Sequence, residues 1–369
     1  MMRILHVASF NGNIGDVLSH AGLYDFLKAA LGVSKDNILR LDLRRFYKNA
    51  TKGALKFNSD CAENFNNYDL VIIGGGGFLK QSFEDSISGN TFDFDSGFFS
   101  KLKSKILFYS IGGINPLETV SNDAYYKTEM FIKKLNSDPR FQFFYRTDGS
   151  VQNSKFLSSL FKSDSSAIIQ MFDSAYLNYR PKKLLNQSNN VVINIGHDQA
   201  LESDCGFSKV ISRTSHIIES LNNYDPSIVF QFIPHTYYDV EAFSALCRSL
   251  PESIKRNNLK CMQSFTFYSD LKSAITTYTS ARLALTGRFH SAAFAFLFTG
   301  NFLPLYKFDR TLYQLEALGI GKLSATSAEE VIKSYNSKIE NDKFDLKFTE
   351  SQVLNRDKIS SSLIQFLET

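Results

Sequence analysis

Residues 69–77, Asp69-Leu70-Val71-Ile72-Ile73-Gly74-Gly75-Gly76-Gly77, constrain the fold more than any other stretch of the chain. An unbroken apolar run with no polar alternation is what a strand covered on both faces of a parallel sheet requires. Four consecutive glycines cost backbone entropy and need a reason. Close approach of a ligand to backbone N–H groups is the expected reason, ahead of a purely conformational turn. No Gly-Lys-Ser/Thr follows, which excludes a nucleotide P-loop.

The same pattern recurs along the chain. Apolar runs at 4–8, 105–111, 141–145 and 168–171 read as strands, with helical patterns at 18–31, 124–135 and 151–161 between them. A polar, proline-containing stretch at 178–190 reads as a linker. A second series follows, with strands at 191–195, 228–233, 259–262, 282–285 and 303–306 and helices at 207–221, 239–250, 267–281 and 292–298. A last helix, 353–367, is placed to cross back onto the first half. Strand–helix alternation predicts an α/β fold. The expected organisation is two α/β halves with a cleft between them, 1–180 and 188–345, with a C-terminal helical segment at 346–369. Ligands in such sheets sit at the carboxyl ends of strands. The Ser-, Gly-, Asp- and Phe-rich residues 85–100 read as a loop over that cleft. The first turn holds Gly12 and Gly15 only three apart, so the GxGxxG dinucleotide fingerprint is absent and NAD is not expected.

Bulk properties narrow the classes further. At 369 residues the chain suits two cores rather than one. A net charge of +4 is too small to argue for nucleic acid. The basic run Arg40, Arg44, Arg45, Lys48 and Lys52 reads as a solvated helix face, with contact to a charged acceptor or at most peripheral contact with an anionic membrane surface as the competing reading. The 34 phenylalanines carry no functional weight on composition alone. Cys61, Cys205, Cys247 and Cys261 have no metal-binding spacing, so no metal site or disulfide framework is expected. No stretch reaches the roughly 20 apolar residues of a membrane span. The N-terminal residues read as a strand rather than a signal peptide, and a cytoplasmic protein is expected.

The candidate chemistry centres on Thr286-Gly287-Arg288-Phe289-His290-Ser291, between a strand and an apolar helix. A helix N-terminus offers free N–H groups to an anion. Arg288 offers a guanidinium fork for carboxylate or phosphate, and His290 moves a proton near neutral pH. Arg146, in Arg146-Thr147-Asp148-Gly149-Ser150, also follows a strand, either as an anion contact or as a structural pair with Asp148. His235 follows another strand, as base, phosphate contact or core residue. The roles of His197 and Asp198 stay open, and His6, His20 and His216 read as structural.

An ordered set of pieces carries a resemblance: Gly12-Asn13-Ile14-Gly15-Asp16, the strand running into Gly74–Gly77, Arg146 to Ser150, Pro234-His235, and Arg288-Phe289-His290-Ser291. Over residues 3–310 the chain resembles the polysaccharide pyruvyl transferase family. The resemblance implies a glycosyltransferase-B-like fold, two Rossmann-like domains facing across a cleft. It implies transfer of pyruvate from phosphoenolpyruvate to two hydroxyls of a sugar, in a cell-surface polysaccharide or its precursor, as a ketal. Phosphoenolpyruvate is then a donor substrate, and no cofactor is implied. The acceptor is a sugar, lipid-linked if the enzyme works at the inner face of the membrane. Arg288 and His290 match an Arg-Leu-His-type motif, with Phe289 for the usual leucine. Arg146 matches an Arg-Asp-type motif, with Thr147 inserted. These three are the implied catalytic residues. Asn13, Gly15, Asp16, Gly75, Gly76 and Gly77 are expected to line the acceptor side, with His235 and Ser291 as further substrate contacts. A nucleotide-sugar glycosyltransferase and a non-catalytic glycan-binding protein stay open as alternatives.

Overall fold

Buried apolar strands organise the chain into two all-parallel sheets. The computed structural model describes residues 2–47, 50, 54–81, 85–115, 119–164, 166, 168–178, 188–263, 267–320, 325, 327–337 and 342–368. Most of the expected linker at 178–190, and Lys48 and Lys52, lie outside the described residues.

The chain divides into two units. The first comprises Met1–Phe10, Ser19–Asn178 and Ser351–Thr369. Its strands are β1 (Ile4–Ala8), β2 (Ile38–Asp42), β3 (Leu70–Gly74), β4 (Lys105–Ile111), β5 (Phe141–Arg146) and β6 (Ile169–Met171), in the order β2-β1-β3-β4-β5-β6. Every residue of β1 and β3 is buried. Side chains alternate between two faces, as a strand period of two dictates. Ile4, Leu70, Ile72, Leu107 and Tyr109 join one core with Leu23, Phe26 and Leu27 of the helix Ile14–Leu31. That core also takes Ile359, Leu363 and Phe366, spaced at helical intervals on Asp342–Glu368. Leu5, Val7, Val71, Ile73, Ile106 and Phe108 face the other core.

Phenylalanine builds that second core. Phe57 stacks on Phe46 at 4.2 Å and on Phe94 at 4.0 Å between ring centroids, and Phe65, Phe92 and Phe98 pack edge-on around it. Offset and edge-to-face rings bury large areas in favourable geometry. The phenylalanine content thus has a packing role that composition did not reveal. The segment expected as a loop at 85–100 contributes Phe92, Phe94 and the start of the helix Ser96–Lys101 to this core.

The basic run also departs from expectation. Arg40 lies on edge strand β2, and Arg44 and Arg45 on the 3-10 turn Leu43–Phe46, rather than on a helix face. The Arg40 guanidinium sits over the Phe10 and Tyr24 rings, at 5.7 and 5.2 Å from their centroids. Short β-branched-poor segments carry a weak strand signal, and pairing with β1 decides the outcome here.

The four glycines are explained in part by the chain path. Gly74 and Gly75 adopt φ of 135° and 90°, open to glycine but not to other residues. The Gly75 N–H donates to Tyr109 O at 2.9 Å, and Gly76 O accepts from Gly112 N at 3.1 Å. Gly74 and Gly75 therefore serve the turn that ends β3, where ligand approach was the expected reason.

The second unit comprises Asn11–Leu18 and Tyr179–Glu350. Its strands are β7 (Asn190–Ile193), β8 (Val229–Phe232), β9 (Leu259–Cys261), β10 (Leu283–Thr286) and β11 (Phe302–Pro304), in the order β11-β10-β7-β8-β9. The helix Phe207–Tyr224 covers this sheet with Val210, Ile211, Ile217, Ile218 and Leu221. After β10 the expected helix at 292–298 is instead an α-helical Phe289–Phe294 followed by a π-helical turn, Ala295–Thr299, stopped by Gly300. The helices Asp309–Ala317 and Ala328–Asn336 were not anticipated from the sequence. Asn11–Leu18 belongs with this second unit rather than with residues 1–180, because Ile14 N donates to His235 O. Two parallel α/β sheets bear out the expected class of two Rossmann-like domains. Among the described residues no helix is long and apolar enough to cross a membrane.

His6 in the first unit and His235 in the second are fully buried histidines with lowered pKa values. His6 on β1 is fully buried, bonds Tyr24 Oη through Nδ1 at 2.9 Å, and is held well below the usual histidine range by burial first and by His20 and Arg40. His235 is pulled down to about 3, again chiefly by burial. Unfolded histidine takes a proton near pH 6.5 while these two stay neutral when folded, so the unfolded chain binds more protons below that pH. Stability is therefore full above about pH 6.5 and falls as pH drops toward the folded values, by up to ~1.4 kcal/mol per pH unit for each group. Thermal melts should show a falling midpoint from pH 7 to pH 5. Replacing His6 or His235 with Gln should flatten that slope while lowering the midpoint at pH 7.

Candidate active site

The loops after β7, β8 and β10 meet at the carboxyl end of the second sheet, where these three strands are neighbours. At their centre is Asp239, fully buried at the start of the helix Asp239–Ser249. Its Oδ2 accepts from the backbone N–H of His235 at 3.0 Å and of Thr236 at 3.3 Å. Its Oδ1 accepts from His197 N at 3.4 Å and from Thr236 Oγ1 at 3.3 Å.

Arg288 is the charge that Asp239 holds. Arg288 Nε donates to Asp239 Oδ1 and Oδ2 at 3.0 and 2.8 Å, and Nη2 donates to Oδ1 at 2.5 Å. Nη2 also reaches Asp198 Oδ1 at 2.6 Å and Thr236 Oγ1 at 3.1 Å. The Arg288 backbone N–H donates to Asn194 Oδ1 at 3.1 Å. Burial opposes the guanidinium charge, but Asp239 and then Asp198 outweigh it and raise the pKa above its ordinary value. Among the described residues Nη1 makes no hydrogen bond. A guanidinium with one edge fixed and one nitrogen open is oriented to receive an anion.

His290 follows two residues later, in the first turn of Phe289–Phe294. It is buried, and its Nδ1 lies 3.8 Å from Asp16 Oδ1. The contact depends on Gly15, because a Cβ at that position would overlap Cβ, Cγ and Nδ1 of His290. Asn13 starts the helix that carries both residues by accepting the Gly15 N–H at 2.9 Å. The structure thus brings Asn13, Gly15, Asp16, Arg288 and His290 into one unit. From sequence alone the first three are expected with the N-terminal half.

Other expected contacts are otherwise engaged. The His235 ring is fully buried, shares a hydrogen bond with Tyr278 Oη at 2.9 Å through Nε2, and packs edge-on against Phe294. Its position is that of a core imidazole, and its backbone carries the contact with Asp239. Ser291 Oγ donates to Arg288 O at 2.7 Å and closes the turn. The Phe289 N–H at the helix start donates to Gln199 Oε1 at 3.3 Å.

Arg146, Gly75, Gly76 and Gly77 lie in the first unit. Arg146 donates through Nε and Nη2 to Asp148 Oδ2 at 3.2 and 3.0 Å, and through Nη1 to Asp173 Oδ2 at 3.1 Å. Both carboxylates have side chains with no exposure. Asp148 Oδ1 is taken by Ser150 N and Oγ, and Asp173 Oδ1 by Ser19 Oγ and Ala175 N. Geometry favours the structural reading of Arg146, as a strut joining the ends of β5 and β6, over the catalytic one.

Sequence reasoning misses Asp239 and leaves the role of Asp198 open. Asp239 sits four residues after His235, at the start of a helical pattern, where it reads as an ordinary helix-start acid. Removing one partner of a buried ion pair strands the other charge. Asp239→Ala should cost roughly 3–5 kcal/mol of stability, read as a lowered denaturant midpoint. Asp198→Ala should leave that midpoint unchanged.

Comparisons with known proteins bear on family and fold. The family model described as polysaccharide pyruvyl transferase matches residues 13–306. No curated protein matches the sequence. Among solved structures, the UDP-GlcNAc 2-epimerase from Neisseria meningitidis, bound to UDP-GlcNAc, is similar with a TM-score of 0.51 and 14% identity, over 99% of this chain and 100% of that one. MnaA from S. aureus, in a co-structure with UDP, is similar with a TM-score of 0.50 and 12% identity, over 95% of this chain and 91% of that one. At such identities the likeness is one of fold. The matched span opens at the Asn13 turn and closes at Tyr306, enclosing every residue of the Arg288–His290 centre, and the chain belongs to the polysaccharide pyruvyl transferase family.

Proposed function

We propose that this enzyme transfers pyruvate from phosphoenolpyruvate to two hydroxyls of a sugar, forming a pyruvate ketal and releasing phosphate. The observation that carries the reading is the Arg288–His290–Asp16 arrangement: an oriented guanidinium and an imidazole on one loop, with a carboxylate 3.8 Å from Nδ1. Phosphoenolpyruvate carries a carboxylate and a phosphate, both suited to an arginine fork. His290 is the general acid, with Asp16 on the Nδ1 side and Nε2 as the donating nitrogen. Its proton goes to the methylene carbon, which becomes the methyl group. The adjacent carbon turns electrophilic, and one sugar hydroxyl adds to it and loses its proton. A second hydroxyl attacks the same carbon as the C–O bond to phosphate breaks, its proton goes to the phosphate, which leaves as the hydrogen phosphate dianion, and the ring closes; the first hydroxyl's proton restores His290. No step is assigned to Arg146 or to the His235 ring.

The loop after β8 supports a sugar at this end of the sheet. Directly after Thr236 it exposes Tyr237 and Tyr238, 60% and 53% accessible, with ring centroids 4.0 Å apart. Aromatic rings with an apolar face and a polar tip suit the mixed surface of a pyranose. Tyr238→Ala should raise KM for the acceptor several-fold and leave KM for phosphoenolpyruvate unchanged, in steady-state kinetics with each substrate varied.

The test of the reaction is phosphate release and ketal mass gain with phosphoenolpyruvate and a panel of sugar acceptors, free and lipid-linked. Release only in the presence of an acceptor is expected. Consumption of nucleotide-sugars alone would replace the reading with glycosyl transfer, and binding without turnover across a broad panel would favour a glycan-binding protein. His290→Asn should abolish turnover. Gly15→Ala, by displacing the imidazole, should lower kcat by about 100-fold without unfolding the protein.

A further inference from the structure

Arg146 ends β5 and Arg288 follows β10, and each is held by two carboxylates, but the pairs differ in one respect. Asp148 and Asp173 have side chains at 0% exposure. Arg288 has one partner at 0%, Asp239, and one at 62%, Asp198. Asp198 lies in the first turn of the helix His197–Leu201 and touches the guanidinium through Nη2 alone. Asp239 already fixes the orientation through Nε and Nη2, and Asn194 holds the Arg288 backbone. Asp198 is therefore not needed to hold the arginine in place. An ion pair with one partner so exposed is weak and readily exchanged. Beside it, Nη1 has no hydrogen bond among the described residues.

We propose that Asp198 is an exchangeable counter-charge, held on Nη2 of Arg288 beside the open Nη1 until a carboxylate or phosphate group of the substrate displaces it. The proposal rests on the reading of Arg288 as an anion contact. Without substrate, Asp198 completes the neutralisation of a nearly buried cation. With substrate, it turns into solvent and keeps a negative charge beside the bound anion. It thereby lowers affinity for the donor and hastens the departure of phosphate. Asp198 is a positioning and affinity-setting residue, and it takes no part in bond making.

Calorimetric titration of the full chain with inorganic phosphate and, separately, with phosphoenolpyruvate tests this. Asp198→Asn should tighten both anions by about three- to tenfold, the scale of an exposed charge pair and its removal. Asp198→Ser should do the same, because loss of charge is the cause. Asp198→Glu should return to wild-type affinity. The unfolding midpoint should not move in any of the three. In turnover, Asp198→Asn should lower KM for the donor and lower kcat if product release limits the rate. Wild-type or weaker anion binding by the Asn and Ser variants would overturn the proposal, as would failure of both anions to bind any form. Tighter phosphate with no phosphoenolpyruvate binding by any form would uphold the exchange and sink the donor assignment instead.

Discussion

The Asp239 carboxylate lies wholly out of solvent, and the candidate site depends on its being satisfied there. An isolated buried carboxylate would cost several kcal/mol. Here Arg288 supplies the opposite charge, and N–H groups of His197, His235 and Thr236 supply further donors. Those donors belong to the loops after β7 and β8, and Arg288 to the loop after β10. One carboxylate thus ties together three loops that parallel pairing has already brought side by side. The arginine is oriented by this arrangement, and His290, two residues further on, inherits its position from the same anchor.

The first unit solves a similar problem with Arg146. Its partners Asp148 and Asp173 follow adjacent strands β5 and β6, so the guanidinium bridges neighbouring strand ends. Parallel sheets converge their loops at one end, and an arginine with several donors can satisfy two loops at once. The difference lies in exposure. Where both carboxylates are buried the arginine is a fixed strut. Where one is open to water, the same motif can exchange its partner.

Much of the fold was legible in the residues. Unbroken runs such as Leu70-Val71-Ile72-Ile73 suit only strands covered on both faces, and each ends at glycine or a polar turn, as βα units require. Edge strand β2 and the helices after β11 were not legible. Their residues carry mixed polarity, and they are fixed by what they pack against rather than by their own pattern. Of the candidate site, the Arg288–His290 loop stood out because charge and a titratable ring interrupt an otherwise apolar stretch. Asp239 did not, because an acid near a helix start is unremarkable until its burial is known.

Strand–helix alternation, the two sheets, and an arginine and a histidine at a strand's carboxyl end can all be read from the order of residues. These follow from local periodicity and from residue chemistry, which are properties of neighbours along the chain. Only the tertiary structure decided that Asn11–Leu18 joins the second unit and sets Asp16 against His290. Only it withdrew His235 into the core, and only it made one arginine a strut and left the other an exposed partner. Those outcomes turn on burial and on contacts between residues as far apart as Asp16 and His290, and desolvation is a property of position in the fold that no residue carries on its own.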